Sequence, residues 1–124
     1  MYIKISKSKS HEIYSRKNLP KKRGDYVYFI RIGDENDRLF KIGTTNRPYE
    51  RMREHAKYYN KPIYILWFSP TYSKYTTLRV EDKTKDKWKE LKEYQYINND
   101  RFIIDDNINS IEIKVKKTYT ISLN

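Results

Sequence analysis

An arginine and a histidine lie one helical turn apart in residues 39–55, LFKIGTTNRPYERMREH. Arg51 and His55 are four residues apart, so at about 100° per residue their side chains lie about 40° from each other around a helix. Arg51 adjoins Met52 of an apolar stripe, so we expect its guanidinium group to emerge at the edge of the core, where its planar donors suit a phosphate. The alternative is that Arg51 belongs to a solvated helix face, since the same helix carries several other charges.

A glutamate beside a second apolar stripe is the next candidate. Glu81 follows Val80 and precedes Thr84 and Trp88 on a predicted helix. A carboxylate there is costly unless it meets a cation, and Mg²⁺ binds proteins through one or two carboxylates and several waters. The alternative is a glutamate favoured near a helix N-terminus by the helix dipole. Because the chain has no cysteine and two histidines without metal-ligand spacing, any metal must be held by oxygen.

One tyrosine is distinguished by its position. The chain has thirteen tyrosines, and most of them should pack in the core or lie at the surface. Tyr28 shares one face of a predicted strand with Tyr26, because alternate residues of a strand point the same way. Two phenols therefore face one side of that strand.

The elements that position these residues follow from the hydrophobic pattern. Residues 26–32 and 39–42 are aromatic and β-branched around a polar connection, which predicts a hairpin. A helix follows from Pro48 to about Asn60, and the apolar run 63–68 predicts a central strand. A second helix is predicted over residues 76–93, with Val80, Thr84, Trp88 and Leu91 on its buried side. Apolar residues at odd positions from 111 to 123 predict a half-buried strand or hairpin.

These elements predict an α+β fold with a small, mostly antiparallel three-stranded central sheet, flanking helices and an added C-terminal β strand or hairpin. We divide the chain into a basic N-terminal arm at residues 1–24, a domain at residues 25–104 and a C-terminal β extension of that domain at residues 105–124. The length of 124 residues suits one domain with a single modest core. The extension is predicted to pair with residues 2–5 or with a strand edge.

The charge of the chain points to a polyanionic partner. The formal net charge is +11, and residues 1–24 hold eight basic side chains and one acidic side chain, 8 − 1 = +7. Lysine and arginine bind polyanions by releasing counterions from phosphates. The alternative is a lysine-rich composition that reflects AT-biased coding. No apolar run reaches membrane-spanning length, so we expect a soluble cytoplasmic protein without a membrane partner, in the host-cell cytoplasm if the chain is viral.

In this order, the motifs resemble the GIY-YIG nuclease family in its short, stand-alone phage and virus type. Tyr26–Tyr28 corresponds to the first motif and Lys41–Gly43 to the second, with the hairpin connection between them. Arg51 lies eight residues beyond Gly43, His55 follows where some members carry a histidine or tyrosine, and Glu81 begins the second helix. The resemblance covers about residues 25–104.

The sequence departs from the family pattern at three places. Lys41 replaces the tyrosine of the second motif, where a lysine can still orient a water or a phosphate. Tyr26 stands where the first motif has a glycine. The late asparagine of the family has no unambiguous counterpart, since Asn98, Asn99 or the Arg101-Phe102 pair falls in that region.

The resemblance implies hydrolysis of phosphodiester bonds in nucleic acid, with DNA favoured and Mg²⁺ or Mn²⁺ as cofactor. It assigns the metal to Glu81 and the general base to Tyr28, with help from Lys41 and His55. Arg51 would stabilise charge on the phosphate oxygens. Because a phenol has a pKa of about 10, we expect a nearby cation to lower the pKa of Tyr28.

Nucleic acid contacts are assigned to a separate set of residues, Lys21, Lys22, Arg23, Tyr26 and Arg47. A single active site makes one nick per visit, so double-strand cleavage would need a homodimer or two visits. Two alternatives stay open. The first is a non-cleaving nucleic-acid-binding module of the same fold, which the replacement at Lys41 favours. The second is a protein-interaction or inhibitor protein of viral origin, whose binding would not depend on salt through phosphates.

Overall fold

The computed structural model describes residues 12–20, 24–70, 74–114 and 118–123, and their fold is α+β, as predicted. The elements are, in chain order, β1 (Glu12–Ile13), β2 (Tyr26–Ile32), β3 (Leu39–Thr45), α1 (Pro48–Tyr59), β4 (Ile63–Pro70), α2 (Lys74–Lys89), β5 (Tyr94–Tyr96), β6 (Arg101–Ile104), β7 (Ser110–Lys114) and β8 (Thr118–Ser122). A 3-10 turn, Glu35–Asp37, lies between β2 and β3. In these described residues no helix is long and apolar enough to cross a membrane.

The main sheet has six strands in the order β1-β4-β2-β3-β6-β5, and every neighbouring pair is antiparallel. The three predicted strands, β2, β3 and β4, lie together within it, and three short strands extend it on both sides. Those short strands have two to four residues each, which is too short to produce a recognisable alternation. The C-terminal hairpin is confirmed, because β7 and β8 pair with each other as a second sheet.

Strand β2 is buried on both faces, and so the main sheet is a middle layer. On one face, Val27 and Phe29 pack with Trp88 of α2 and with the inward side of the β7–β8 hairpin. On the other face, Tyr28 and Ile30 pack with α1. The two helices therefore lie on opposite faces of the sheet, and a site that uses both must form where the sheet ends.

Strand β6 covers only part of the β3 edge. It pairs with Leu39–Lys41 of β3, and its partner β5 joins it through a turn in which Asn99 and Asp100 have left-handed φ angles of 49° and 62°. Two such residues in succession form the tight hairpin turn that asparagine and aspartate favour. Among the described residues no strand pairs with Ile42–Thr45 on this side. Groups from both faces of the sheet can therefore approach one another around this edge.

Helix α1 begins and ends with the residues that its sequence predicts. Pro48 occupies its first turn, where the missing N–H group has no intrahelical partner to lose. Asn60 closes the helix in a left-handed conformation with φ of 53°. Helix α2 ends earlier than predicted, at Lys89, so that Leu91 falls beyond the helix and is 37% exposed. The prediction that Leu91 belongs to the buried side of α2 is therefore wrong.

Part of the predicted basic arm packs on the domain. Glu12–Ile13 pairs with β4, Leu19 is buried in the core beneath α1, and the Arg16 guanidinium group lies 4.1 Å from the centre of the Tyr49 ring. Lone apolar residues such as Leu19 produce no periodicity, and for this reason the sequence pattern suggested an irregular lead-in. Residues 1–11 and 21–23, which include the basic run Lys21-Lys22-Arg23, lie outside the described residues.

Candidate active site

The Tyr28 ring crosses the backbone of Gly43. The two residues are directly paired between β2 and β3. A Cβ atom on Gly43 would lie 2.5 Å from Cζ of Tyr28 and closer still to the phenol oxygen, so no other residue type fits without moving the ring. The glycine of the Lys41–Gly43 motif therefore allows the phenol to lie over β3, on the face that α1 covers.

The phenol oxygen of Tyr28 lies 2.8 Å from Nε2 of His55. Both side chains are buried, with 1% and 6% of their surface exposed. Burial, together with Lys41 and Arg51, lowers the pKa of His55 to about 3, so the imidazole is neutral at pH 7. Burial also raises the pKa of Tyr28, which stays protonated. The simplest proton arrangement is a Tyr28 hydroxyl that donates to a neutral His55.

The pKa of Tyr28 differs from the sequence expectation. Arg51 does favour the deprotonated phenol, as a nearby cation should, but burial outweighs it and the pKa of Tyr28 is raised. Glu81 adds to the rise because its negative charge opposes a phenolate. The sequence pattern could not show this, because it did not reveal that both faces of β2 are covered.

Arg51 lies at the edge of the core, as its position beside Met52 predicts. Its Nη1 donates to Oε2 of Glu54 at 3.1 Å, and Nη2 of Arg47 donates to Oε1 of the same carboxylate at 3.2 Å. Glu54 therefore holds the two arginines side by side. This arrangement limits the motion of Arg51, whose side chain is still partly exposed and can reach a ligand.

Lys41 projects from β3 on the same side of the sheet. Its ammonium group donates to the backbone oxygen of Asn99 in the β5–β6 turn. Burial lowers the pKa of Lys41 to about 8, and the charge of Asp100 opposes that fall. Lys41 is therefore mostly protonated at pH 7 and close to losing its charge.

Glu81 lies on α2, and its carboxylate forms an ion pair with Lys85. Nζ of Lys85 lies 3.4 Å from Oε2 of Glu81, 3.4 Å from Oδ1 of Asp82 and 3.0 Å from Oδ1 of Asp100. Burial raises the pKa of Glu81, although Lys85 opposes the rise. Burial alone would lower the pKa of Lys85, but its bond to Asp100 and the charge of Glu81 hold that pKa above its ordinary value.

The carboxylates around Lys85 provide oxygen atoms of the kind that bind hard cations such as Mg²⁺. Glu81 and Asp100 come from different elements, and both contact one ammonium group. Mg²⁺ commonly uses one or two carboxylates and keeps several waters. Across the described residues there is no group of three or more histidine, cysteine, aspartate or glutamate side chains placed to hold a metal. A cation here would therefore rely on Glu81, Asp100 and water, and it would compete with Lys85.

A cavity of about 480 Å³ connects these residues. Its lining consists of Lys41, Arg51, Glu54, His55, Tyr58, Tyr59, Asn99 and Asp100. Three of the predicted site residues are thus brought together, and a fourth, Tyr28, adjoins them through His55. Glu81 approaches from the other face of the sheet and connects to the cavity through Lys85 and Asp100.

The residues assigned to nucleic acid contacts are placed differently. Arg47 is exposed beside Arg51, where it can meet a ligand in the cavity. Tyr26 is 6% exposed, and its ring centre lies 6.1 Å from that of Phe68. Its ring packs in the core, where little of it is accessible to a nucleic acid, and its assignment to nucleic acid binding stays a prediction. The alternation of β2 put Tyr26 on the correct face but could not reveal that this face is covered.

Several residues that line the cavity or adjoin it were not selected from the sequence. The contact of Lys85 with Glu81 could have been predicted, because the two residues are four apart and such pairs meet on a helix. Asp100 carried a turn signal, which is typical of a hairpin and suggests no chemistry. Asn99 was one of the possible counterparts of the family's late asparagine, and the sequence did not select among them. Tyr58 and Tyr59 could not be separated from the other tyrosines until the fold was known.

Comparison with known protein families identifies a match. The T5orf172 domain matches residues 25–119, which is most of the chain. That domain is associated with phage-type, nuclease-related or DNA-binding proteins. No curated protein and no solved structure matches the chain.

Gly43→Ala should displace the Tyr28 ring and break its hydrogen bond to His55, because the added Cβ overlaps the phenol. We expect a loss of about 1–3 kcal/mol in the free energy of unfolding, which is the usual cost of overpacking a core. Urea denaturation measures it. Gly24→Ala is the matched control, since its Cβ would lie 3.4 Å from the Tyr26 ring and make ordinary contact. Equal stability of the Gly43 and Gly24 variants would contradict this geometry.

The pH dependence of stability should report His55. Its pKa is lowered on folding, from the ordinary value of 6.5 to about 3, so the unfolded chain binds more protons between these values. The free energy of unfolding should therefore decrease as the pH is lowered from about 6.5 towards 3. His55 should contribute up to about 1.4 kcal/mol of this decrease per pH unit. Urea denaturation of the natural protein and His55→Gln at pH 7 and 5 measures the difference. An NMR titration that shows His55 protonating near pH 6.5 would refute it, with the two histidine signals assigned through His11→Gln.

Proposed function

The chain belongs to the T5orf172 domain family, and we propose that it is a metal-dependent endonuclease of the GIY-YIG type that hydrolyses phosphodiester bonds, with DNA as its preferred substrate. The observation that carries the proposal is the position of the Tyr28 oxygen. It lies 2.8 Å from a neutral imidazole, that of His55, and it interacts with the guanidinium group of Arg51. A hydroxyl between a proton acceptor and a cation is arranged to lose its proton.

Tyr28 acts as general base through His55. When the Tyr28 proton passes to Nε2 of His55, the phenol oxygen can take a proton from water, and the resulting hydroxide attacks phosphorus. The bond from phosphorus to the leaving oxygen breaks, that oxygen takes up a proton, and loss of the proton from His55 restores the neutral pair. The low pKa of His55 opposes this transfer before substrate binds. A bound phosphodiester brings a negative charge to the cavity that His55 lines, and this charge raises the pKa of the imidazole.

Arg51 and Lys41 bind the phosphate. Arg51 is held by Glu54 at 3.1 Å, so its donors are oriented before the substrate arrives. Donors fixed in advance stabilise the charge that develops in the transition state without a further cost of reorganisation. Lys41 is fixed by Asn99 and keeps most of its charge at neutral pH.

Glu81, with Asp100 beside it, would hold Mg²⁺ or Mn²⁺, which supplies positive charge to the phosphate and to the leaving oxygen. For a metal to bind there, the ammonium group of Lys85 would have to move away from these carboxylates. The side chain is long and 15% exposed, so it can turn towards solvent while its backbone stays in α2.

The same lysine favours one alternative function. If Lys85 keeps its place between Glu81 and Asp100, the acidic groups are neutralised without a metal. The domain would then bind nucleic acid through Arg51, Lys41 and Arg47 and would not cleave it.

Cleavage should be measured on supercoiled plasmid and on a single-stranded oligonucleotide, each with Mg²⁺, Mn²⁺ or EDTA. We expect nicking that needs metal and falls at least a hundredfold in Glu81→Gln, because the amide removes the anionic ligand. Asp82→Asn tests the neighbouring carboxylate, and Asp86→Asn is an exposed control on the same helix. Arg51→Ala should be equally inactive, whereas Arg53→Ala, its exposed neighbour, should stay active.

Each result decides between the functions. Full activity of Glu81→Gln would remove Glu81 from the metal site. Salt-sensitive retention of both substrates without cleavage in any metal would favour the binding module. Direct conversion of supercoiled to linear plasmid would indicate paired active sites, as in a homodimer.

The basic run at residues 21–23 should provide salt-dependent affinity. Replacing Lys21, Lys22 and Arg23 together with serine removes three charges, so the slope of log K against log salt should become shallower by up to about 2.7. Fluorescence anisotropy with labelled duplex DNA in EDTA measures the slope. The control replaces Lys57, Lys83 and Lys87, three exposed lysines on the helices, and thereby matches the net charge. Equal slopes for the two triple variants would show that net charge, and not this run, sets the affinity.

A further inference from the structure

Two adjacent tyrosines form one wall of the cavity beside the phosphate-binding residues. Tyr58 is 75% exposed, whereas the other two tyrosines of α1, Tyr49 and Tyr59, are partly buried against the core. Tyr58 and Tyr59 both line the cavity, together with Arg51 and Lys41. An aromatic face and a phosphate site in one cavity are the two parts needed to hold a nucleotide.

The rings of this wall support each other. The ring centres of Tyr58 and Tyr59 lie 4.9 Å apart with an interplanar angle of 87°, so the edge of one meets the face of the other. Tyr59 is held in turn by the guanidinium group of Arg101, 5.2 Å from its ring centre, and by the His55 ring at 5.9 Å. The partly buried Tyr59 ring is therefore contacted from two sides, and it supports the exposed Tyr58 ring.

The charges on the cavity wall do not repel an anion. Glu54 is paired with Arg47 and Arg51, and Asp100 is paired with Lys85. Lys41 bonds a backbone oxygen instead of a carboxylate. The volume of about 480 Å³ falls within the range of about 300–1,000 Å³ that is typical of small-ligand sites.

We propose that Tyr58 stacks on an unpaired nucleobase next to the bound phosphate, so that the substrate of this site is single-stranded or locally unpaired nucleic acid. The inference rests on the proposed function for the identity of the phosphate and extends it to the substrate class. In a regular duplex each base lies between its neighbours, so its face is open to a protein ring only when the base leaves the stack. Stacking on a tyrosine needs no particular base, and this predicts little sequence preference at this position.

Binding in EDTA tests the stacking without any need for cleavage. The probes are fluorescein-labelled dT12, a 12-mer of abasic nucleotides with the same phosphates, and a 12-base-pair duplex, all measured by anisotropy. Tyr58→Ala should weaken dT12 binding about tenfold and change duplex and abasic binding less than threefold. Tyr58→Phe keeps the ring and should bind dT12 within twofold of the natural protein. Tyr96→Ala removes an exposed tyrosine outside the cavity and is the matched control.

The outcomes separate this inference from the proposed function. An equal loss for dT12, abasic and duplex probes in Tyr58→Ala, no loss at all, or no binding of dT12 by the natural protein would overturn the stacking role. Selective loss on dT12 by a protein that never nicks DNA would support stacking and reject the nuclease. Metal-dependent nicking with unchanged dT12 binding in Tyr58→Ala would support the nuclease and reject stacking. An RNA 12-mer, rU12, run beside dT12 shows which sugar the site prefers.

Discussion

The site depends on one close approach, the passage of the Tyr28 ring over Gly43. A side chain at Gly43 would push the phenol out of the layer between sheet and helix, and the hydrogen bond to His55 would be lost. Because β2 and β3 pair through six successive residues, the position of Tyr28 over Gly43 is fixed by the whole ladder. The ladder, and not the side chains alone, therefore sets the distance between the phenol and α1.

The charges of the site meet because the sheet is incomplete beside β3. Helices α1 and α2 lie on opposite faces, so Arg51 and Glu81 would be separated by a continuous sheet. Strand β6 stops opposite Lys41, and the turn before it brings Asp100 to the place where β3 is uncovered. Lys85 then joins α2 to that turn. The β5–β6 turn thus links the two faces, and it supplies oxygen atoms to Lys41 and to Lys85.

The sequence predicted what depends on local pattern. The strands around residues 26–45, helix α1 and the spacing of Arg51 and His55 follow from periodicity and capping residues, and the structure contains them. Prediction from the sequence failed where the burial of a side chain depends on which distant elements pack against it. Tyr26 lies in the core because its side chain packs in the cluster that contains Phe68 and Met52, and burial likewise raises the pKa of Tyr28. Asp100 gave only a turn signal, since its approach to Lys85 is a long-range contact.

Burial keeps Tyr28 and His55 in their uncharged forms. It raises the pKa of Tyr28 and lowers that of His55, so the two share one proton within a neutral pair. Transfer of that proton creates a phenolate and an imidazolium side by side, which separates charge but adds none. Arg51 already favours the phenolate before substrate binds, and a phosphate near His55 would stabilise the imidazolium, so the imidazolium gains its partner only when substrate is bound. In the proposed mechanism, the basicity of Tyr28 would therefore depend on whether a phosphate occupies the cavity.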